Sequence, residues 1–362
     1  MKNKKVISAI VLFVFGLACF IVNAKFEITA LLPALALFAV GFFLLIKGGD
    51  WFVDGASAIA EKFKVPEILI GATVVSIGTT LPEVMVSAQA AAKGNGAISY
   101  GNAIGSIICN VSLIAAITLA VKPAKADRKS LIVPVAFFFS AAGLYTFTAY
   151  VTGNFSRVTG IVLLLMFVVY MSLTVATALK GNKKGLPKDE SGDNEADSKE
   201  KESMSVLTAI ILLVFGAAII AFGATLLVDN GTIIAKKIGV PDSVIALTVV
   251  ALGTSLPELV TAITSLIKGH GSLSLGNIIG ANLFNLVLVS GLAITIKPFE
   301  VPSEKVFLNT GLNSSLVVDI PLMLFVMLFL TLPALVKGKL YRWQGVTLLI
   351  LYAAFCVFQF AF

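Results

Sequence analysis

The chain has 362 residues, of which 58% are hydrophobic and 13% charged, with a mean hydropathy of +0.98. Soluble domains carry about a quarter charged residues, so the composition excludes a soluble globule, and long apolar runs in place of short alternating ones exclude a membrane β-barrel. The formal charge of +7 does not indicate a nucleic-acid partner, because the Lys and Arg residues sit in short connections between apolar segments, where membrane topology accounts for them.

In chain order, residues 1–5 (MKNKK) form a basic head on an apolar run over 6–22. Residues 1–28 therefore read as an N-terminal helix or a signal peptide, since Val22-Asn23-Ala24 fits a small-residue cleavage site. Apolar segments long enough to cross about 30 Å of hydrocarbon as helix follow at 29–47, 67–92, 97–121, 130–150 and 157–179. Residues 180–204 are polar, charged with both signs and poor in apolar residues, the composition of a disordered cytoplasmic linker without metal-loop spacing. Five further spans are expected at 205–228, 242–267, 273–296, 316–336 and 343–361.

The two blocks of five are copies. Residues 65–110 and 240–285 align without a gap at an offset of 175, with 20 of 46 positions identical. With the basic head inside, successive spans place 20 of the 27 Lys and Arg residues on the same side, the positive-inside pattern. Five is odd, so the second copy enters the membrane in the opposite sense. The expected fold is an all-α integral membrane protein of two inverted five-helix repeats, 29–179 and 205–362, with ten core transmembrane helices.

Each copy carries G-T-[TS]-L-P-E inside an apolar span. Pro82 and Pro257 remove a backbone donor and free a carbonyl one turn earlier, so a short unwound segment is expected beside Gly78 and Gly253. Glu83 and Glu258 follow the prolines and are the only acids deep in the apolar spans. A charge at that depth costs at least about 2.5–3.5 kcal/mol, and no Lys or Arg shares the depth, so the natural partner is a cation. Helical spacing places Ser76, Thr79, Thr80 and Ser87 near Glu83, and Thr248, Ala251, Thr254 and Ser255 near Glu258. Hard oxygen ligands of this kind suit sodium or calcium.

The next span of each copy opens with G-N-x-I-G. Gly101, Gly105, Gly276 and Gly280 are expected to allow close helix packing. Asn102, Ser106 and Asn110, like Asn277, Ala281 and Asn285, recur every fourth residue as a polar stripe. Ser106, Asn110 and Asn285 are read as facing a cavity, while structural hydrogen bonding explains Asn102 and Asn277 equally well. Cys19, Cys109 and Cys356 read as buried free thiols, and His270 as a solvated turn residue. Asp50, Asp54, Glu61, Asp229 and Asp242 read as solvated charges at span ends, with Asp319 ambiguous.

At GTTLPE/GTSLPE and GNAIGS/GNIIGA the sequence resembles the cation/calcium exchanger superfamily, in its sodium/calcium exchanger branch. The resemblance covers both halves and excludes the N-terminal run and most of the linker. It implies calcium held by Glu83 and Glu258 with the Thr79 and Thr254 carbonyls, and sodium sites drawing on Ser76, Thr80, Ser106, Ala251 and Ser255. Asn110 and Asn285 would lie at the middle of the cluster. Two positions depart from the family pattern: a serine is common where Ala281 stands, and an acid where Asn285 stands.

The expected activity is sodium/calcium antiport by alternating access in a prokaryotic inner membrane, extruding calcium. The chain would need no cofactor, no nucleic acid and no obligatory protein partner beyond the lipid bilayer. The nearest alternative is a proton-coupled calcium or other divalent antiporter, because an unoccupied buried carboxylate can carry protons. An intramembrane hydrolase would need a nucleophile and base at one depth, which two acids without a buried histidine do not supply.

Overall fold

The computed structural model describes residues 2–26, 28–184, 204–238, 251–303, 307 and 310–361. The helices are α1 (Lys2–Lys25), α2 (Leu31–Lys62), α3 (Glu67–Ala92), α4 (Gly96–Val121), α5 (Arg128–Thr152) and α6 (Arg157–Lys184). They continue with α7 (Val206–Lys237), α8 (Leu256–Ile267, preceded by a short turn Ala251–Thr254), α9 (Gly271–Ile296), α10 (Ser315–Lys337) and α11 (Arg342–Ala361). Among the described residues nine helices are long and apolar enough to cross a membrane, with α8 a shorter apolar one. The expected starts of the seventh span, Thr248 and Asp242 lie outside the described residues, as do 185–203 of the linker.

The apolar runs become helices because lipid offers no partner for backbone N–H and C=O groups, so each segment must satisfy its own. Large side chains such as Leu32, Val158, Leu207 and Ile350 are exposed, which a protein in water would not tolerate in such number. Burial is graded: 83% of the apolar stretch of α9 and 72% of that of α4 is buried, against 11% of α1. The core helices are therefore α4 and α9, with α3 and α8 beside them, and the rest face outward.

Counterpart contacts reveal the inverted repeat. A Cβ on Gly41 of α2 would lie 2.8 Å from the Gly223 carbonyl of α7, and a Cβ on Gly223 would lie 2.8 Å from the Gly41 carbonyl. Their repeat mates, Gly216 and Gly48, meet in the same crossing. Four glycines thus let two backbones touch about a local two-fold axis.

The connections repeat the relationship on opposite faces. At the end of α5, Gly153 (φ +65°) accepts from Val301 N–H at 2.9 Å, and at the end of α10, Gly338 (φ +65°) accepts from Ala126 N–H at 3.0 Å. A left-handed backbone at a helix end favours glycine. The strands β1 (Asn154–Phe155) and β2 (Phe299–Glu300) pair antiparallel next to the first contact, and Lys125 bridges Lys339 next to the second. One full span, α5, separates Lys125 from Asn154, so the two pairings lie at opposite ends of the bundle. Arg157 donates to the Thr295 carbonyl at 3.1 Å and Arg342 to the Val121 carbonyl at 3.0 Å, again as mates.

The N-terminal helix α1 lies against α7 through Phe13 and Phe20, whose rings meet Phe215 and Phe222 at 4.8–5.6 Å between centroids. Lys5 pairs with Asp54 of α2 at 3.1 Å, while Asn23 donates to Asp229 of α7 at 2.7 Å and accepts from Asn230 at 2.9 Å.

Several expectations need correction. The helix α2 runs to Lys62, well past residue 47, because the glycines and acids that suggest a span end are packed instead of solvated. Asp54 binds Lys268 at 2.8 Å as well as Lys5, and Asp229 is held by Asn23. Asp319 accepts from Gln359 at 3.0 Å. His270 is not a free turn residue: its Nδ1 lies 2.6 Å from Glu67 Oε1.

Candidate functional site

The site forms where α3 and α4 of one half meet α8 and α9 of the other. Glu83 and Glu258 are both fully buried, and their side chains lie within electrostatic reach of each other. Among the described residues no hydrogen bond of normal geometry reaches any of the four carboxylate oxygens, and no ion pair includes either acid. A buried carboxylate without a partner is among the most costly arrangements in a fold, so this pair calls for a ligand.

Neutral oxygens collect around it. Among the described residues the Thr80 and Ser255 hydroxyls, the Asn110 Oδ1 and both amide atoms of Asn285 are buried without a hydrogen bond of normal geometry. The Thr79 and Thr80 hydroxyls also lie beside the Glu258 carboxyl, which ties the two halves into one cluster. Ser106 is buried on α4. Among the described residues no group of three or more His, Cys, Asp or Glu side chains comes together. Two carboxylates supplemented by hydroxyl and amide oxygens fit a hard cation and offer nothing to a soft one.

Cross-repeat hydrogen bonds set the distance between the halves. Ser76 Oγ lies 3.0 Å from the Asn277 carbonyl and 3.2 Å from its Oδ1, and 2.8 Å from the Gly71 carbonyl. Thr79 Oγ1 donates to Asn277 Oδ1 at 3.2 Å. Its repeat mate Thr254 is half-buried and reaches Asn102 Oδ1 at 3.5 Å. Asn102 in turn donates to the Glu83 carbonyl at 3.2 Å and to Ser87 Oγ at 2.9 Å. A donating hydroxyl keeps lone pairs, so Ser76 and Thr79 remain able to face a cation. Ala251 opens the short turn before Ser255.

The backbone departs from regular helix, but not where the prolines suggest. In the first half α3 stays helical through Pro82, and the widened π-helical turn lies upstream at Gly71–Val75. Ser76 Oγ and Tyr170 Oη, the latter at 2.9 Å from the Ala72 carbonyl, take up groups that the wide turn releases. In a continuous helix the carbonyl that Pro82 frees is that of Gly78, four residues back. The Thr79 group that lies beside the Glu258 carboxyl is its hydroxyl. In the second half the helix does break, at Ser255. The first backbone bond afterwards runs from Leu259 N–H to the Ser255 carbonyl at 3.0 Å, which leaves the Thr254 carbonyl outside that ladder. Matched π-helical turns begin at Asn110 and Asn285, a feature common at functional sites.

Close packing of the second-span glycines is seen at Gly276 and Gly280. A Cβ on Gly280 would lie 2.3 Å from Ser76 Oγ and 2.6 Å from Ala72 Cα, and one on Gly276 2.2 Å from the Ile68 carbonyl. For Gly101 and Gly105 no described atom lies within 4 Å; residues 243 and 247, the repeat counterparts of Ile68 and Ala72, lie outside the described residues. Gly101 is exposed and Asn102 half-buried, whereas Gly276 and Asn277 are buried.

Sequence reasoning missed Asn282, whose Oδ1 accepts from Asn110 Nδ2 at 3.1 Å, and the buried hydroxyls of Thr261 and Ser265 on α8. The repeat hid Asn282, because its mate is Ile107.

Residues 33–176 and 208–361 match the family model described as sodium/calcium exchanger protein. The chain is 35% identical to an uncharacterized membrane protein of Methanocaldococcus jannaschii over 318 residues, 87% of this chain and 94% of that protein. It is 32% identical to the sodium/calcium exchanger MaX1 of Methanosarcina acetivorans, over 89% of this chain and 97% of that one. Among solved structures, the sodium-calcium exchanger NCX_Mj soaked with sodium and strontium superposes with a TM-score of 0.72 at 32% identity, covering 90% of this chain and 98% of the other.

Proposed function

Since the chain belongs to the sodium/calcium exchanger family, and so exchanges sodium for calcium across a membrane as a secondary antiporter, we propose that Glu83 and Glu258 are the shared carboxylates for which the two ions compete. The observation that carries this reading is the set of four carboxylate oxygens, fully buried and, among the described residues, without a countercharge or a hydrogen bond of normal geometry. Calcium is read as bound by both acids with the Thr254 carbonyl, and sodium by the surrounding oxygens of Ser76, Thr79, Thr80, Ser106, Ser255, Asn110 and Asn285, with the backbone at Ala251. Each ion is cargo, and no resident cofactor takes part.

Competition provides the coupling. One calcium or two sodium ions neutralise two carboxylates, so both cannot be loaded at once. A third sodium at a neutral oxygen site would make the cycle move one net charge, worth about 2.3 kcal/mol per 100 mV. In a cell held negative inside, that charge favours calcium extrusion, which we take as the physiological direction across a prokaryotic inner membrane. The polar contacts of Lys5 and Asn23 favour reading α1 as a retained helix, and the repeats as residues 29–179 and 205–362.

Everted vesicles preloaded with sodium should take up calcium when diluted into sodium-free buffer. Uptake that ignores the sodium gradient but follows a pH gradient would transfer the assignment to proton coupling.

A further inference from the structure

Resting on the ion-cluster reading above, we propose that Asn282 is a positioning residue that fixes which atom of Asn110 faces the transported ion. Asn282 is fully buried on α9. Its Nδ2 donates to Met327 Sδ on α10 at 3.2 Å, and its Oδ1 accepts from Asn110 Nδ2 at 3.1 Å.

The sulfur decides the orientation. An amide can be turned end for end, and its hydrogen-bond network determines which way it points. A thioether accepts and never donates, so Asn282 must present its NH2 to Met327 and its carbonyl to Asn110. Asn110 can answer that carbonyl only with its own NH2. Its Oδ1 is then the atom left over, and it is buried with no other partner. A one-way relay from Met327 through Asn282 thus delivers a carbonyl oxygen, preorganised, to the cluster.

The other half lacks the device. Asn285 is the repeat mate of Asn110, and Ile107 stands where the mate of Asn282 would be. An isoleucine side chain cannot accept a hydrogen bond. Both amide atoms of Asn285 are correspondingly buried and without a partner among the described residues. The same residue type is therefore locked in the first half and unlocked in the second, and an ion must itself orient Asn285.

The test uses the full chain, purified and in vesicles, with three variants. Asn282→Leu keeps the branched heavy-atom shape but removes the acceptor, and should raise the calcium KM about tenfold, the worth of one hydrogen bond, with a smaller fall in maximal rate. Met327→Leu removes only the sulfur and should raise KM less. Asn282→Asp, as the neutral acid, can donate to Met327 and accept from Asn110, and should stay within about threefold of the parent. The calcium dependence of the melting temperature of each purified protein is measured alongside, since it reads binding without transport.

An unchanged KM and unchanged calcium-induced stabilisation in Asn282→Leu would overturn the proposal. Equal losses of yield and rate in Asn282→Leu and Asn282→Asp would reduce Asn282 to a structural role and also overturn it. A parent that is stabilised by calcium yet does not exchange would sink the antiport assignment while leaving the Asn282 comparison readable. A parent whose stability ignores calcium would overturn both.

Discussion

Thr79 of the first half hydrogen-bonds Asn277 of the second at 3.2 Å, and the same pair shifted by one repeat, Thr254 with Asn102, meets at 3.5 Å. Each half thus reaches across to grip the other beside the acids. The Asn277 grip is the stronger, because it also engages Ser76 and is wholly buried. Asn277→Leu should lower stability by about 1–3 kcal/mol, the cost of stranding buried hydroxyls, and Asn102→Leu by less. Thermal unfolding in detergent measures the difference. Equal effects would show that the two crossings carry equal load.

The acids give the sharpest functional prediction. Glu83→Gln or Glu258→Gln should abolish sodium-driven calcium uptake while leaving folded yield intact or improved, because each removes a buried charge and keeps the shape. Isotope uptake into vesicles, normalised to protein, checks this. A variant with normal exchange would show that its acid only supports the fold.

Much of this arrangement was legible in the sequence because a duplication repeats its own functional residues. The acids, the prolines and the Asn stripe stand out by occurring twice, and Glu83 and Glu258 do come together. What was not legible is what breaks the repeat. The π-helical turn at Gly71–Val75 has no proline to announce it, and Asn282 has no mate. Charges near span ends read as solvated, yet Asp54 and Asp229 find partners on α1, a helix outside the repeat. Pairings of that kind depend on tertiary placement, which local periodicity does not encode.

Close approach at the second-span glycines is testable by adding one methyl group. Gly280→Ala or Gly276→Ala would force a methyl within 2.3 Å of described atoms of α3, and overpacking of this kind costs about 1–3 kcal/mol. Folded yield and melting temperature should fall. Size-exclusion profiles and melting curves of the two variants decide the matter, and unchanged yield and melting temperature in both would contradict the close approach.

Asn285 supplies an amide where the resemblance leads one to expect an acid, so the cluster holds two carboxylates and no third charge to neutralise. Calcium exchange by the parent should therefore proceed without potassium. Asn285→Asp adds a carboxylate that must be protonated or paired when calcium is bound, so exchange should become sensitive to pH or responsive to potassium. Sodium-dependent calcium flux with and without potassium, across a range of pH, tests both statements. Strict potassium dependence of the parent, or unchanged responses in the variant, would count against them.

The ends of the bundle differ in a way that the repeat makes testable. Lys268, in the turn between α8 and α9, binds Asp54 of α2 at 2.8 Å and the Asp50 carbonyl at 2.6 Å. Shifting by 175 residues, the counterparts are Lys93 and Asp229. In the structure they do not pair: Asp229 accepts from Asn23, and Lys93 is exposed. Positive-inside topology puts the formed pair at the cytoplasmic end and the unformed pair opposite. In alternating access by inverted repeats each half adopts the conformation of the other, so the oppositely closed state should break Asp54–Lys268 and form Asp229–Lys93. In a background with Cys19, Cys109 and Cys356 replaced by alanine, cysteines at 54 and 268, or at 93 and 229, report on the two states. A short bifunctional thiol reagent should link each pair in a different fraction of molecules. Conditions that raise one yield, such as saturating calcium against saturating sodium, should lower the other, and either link should stop exchange. A 93/229 pair that never links under any ion condition, in a protein that still exchanges, would show that the halves do not trade this contact.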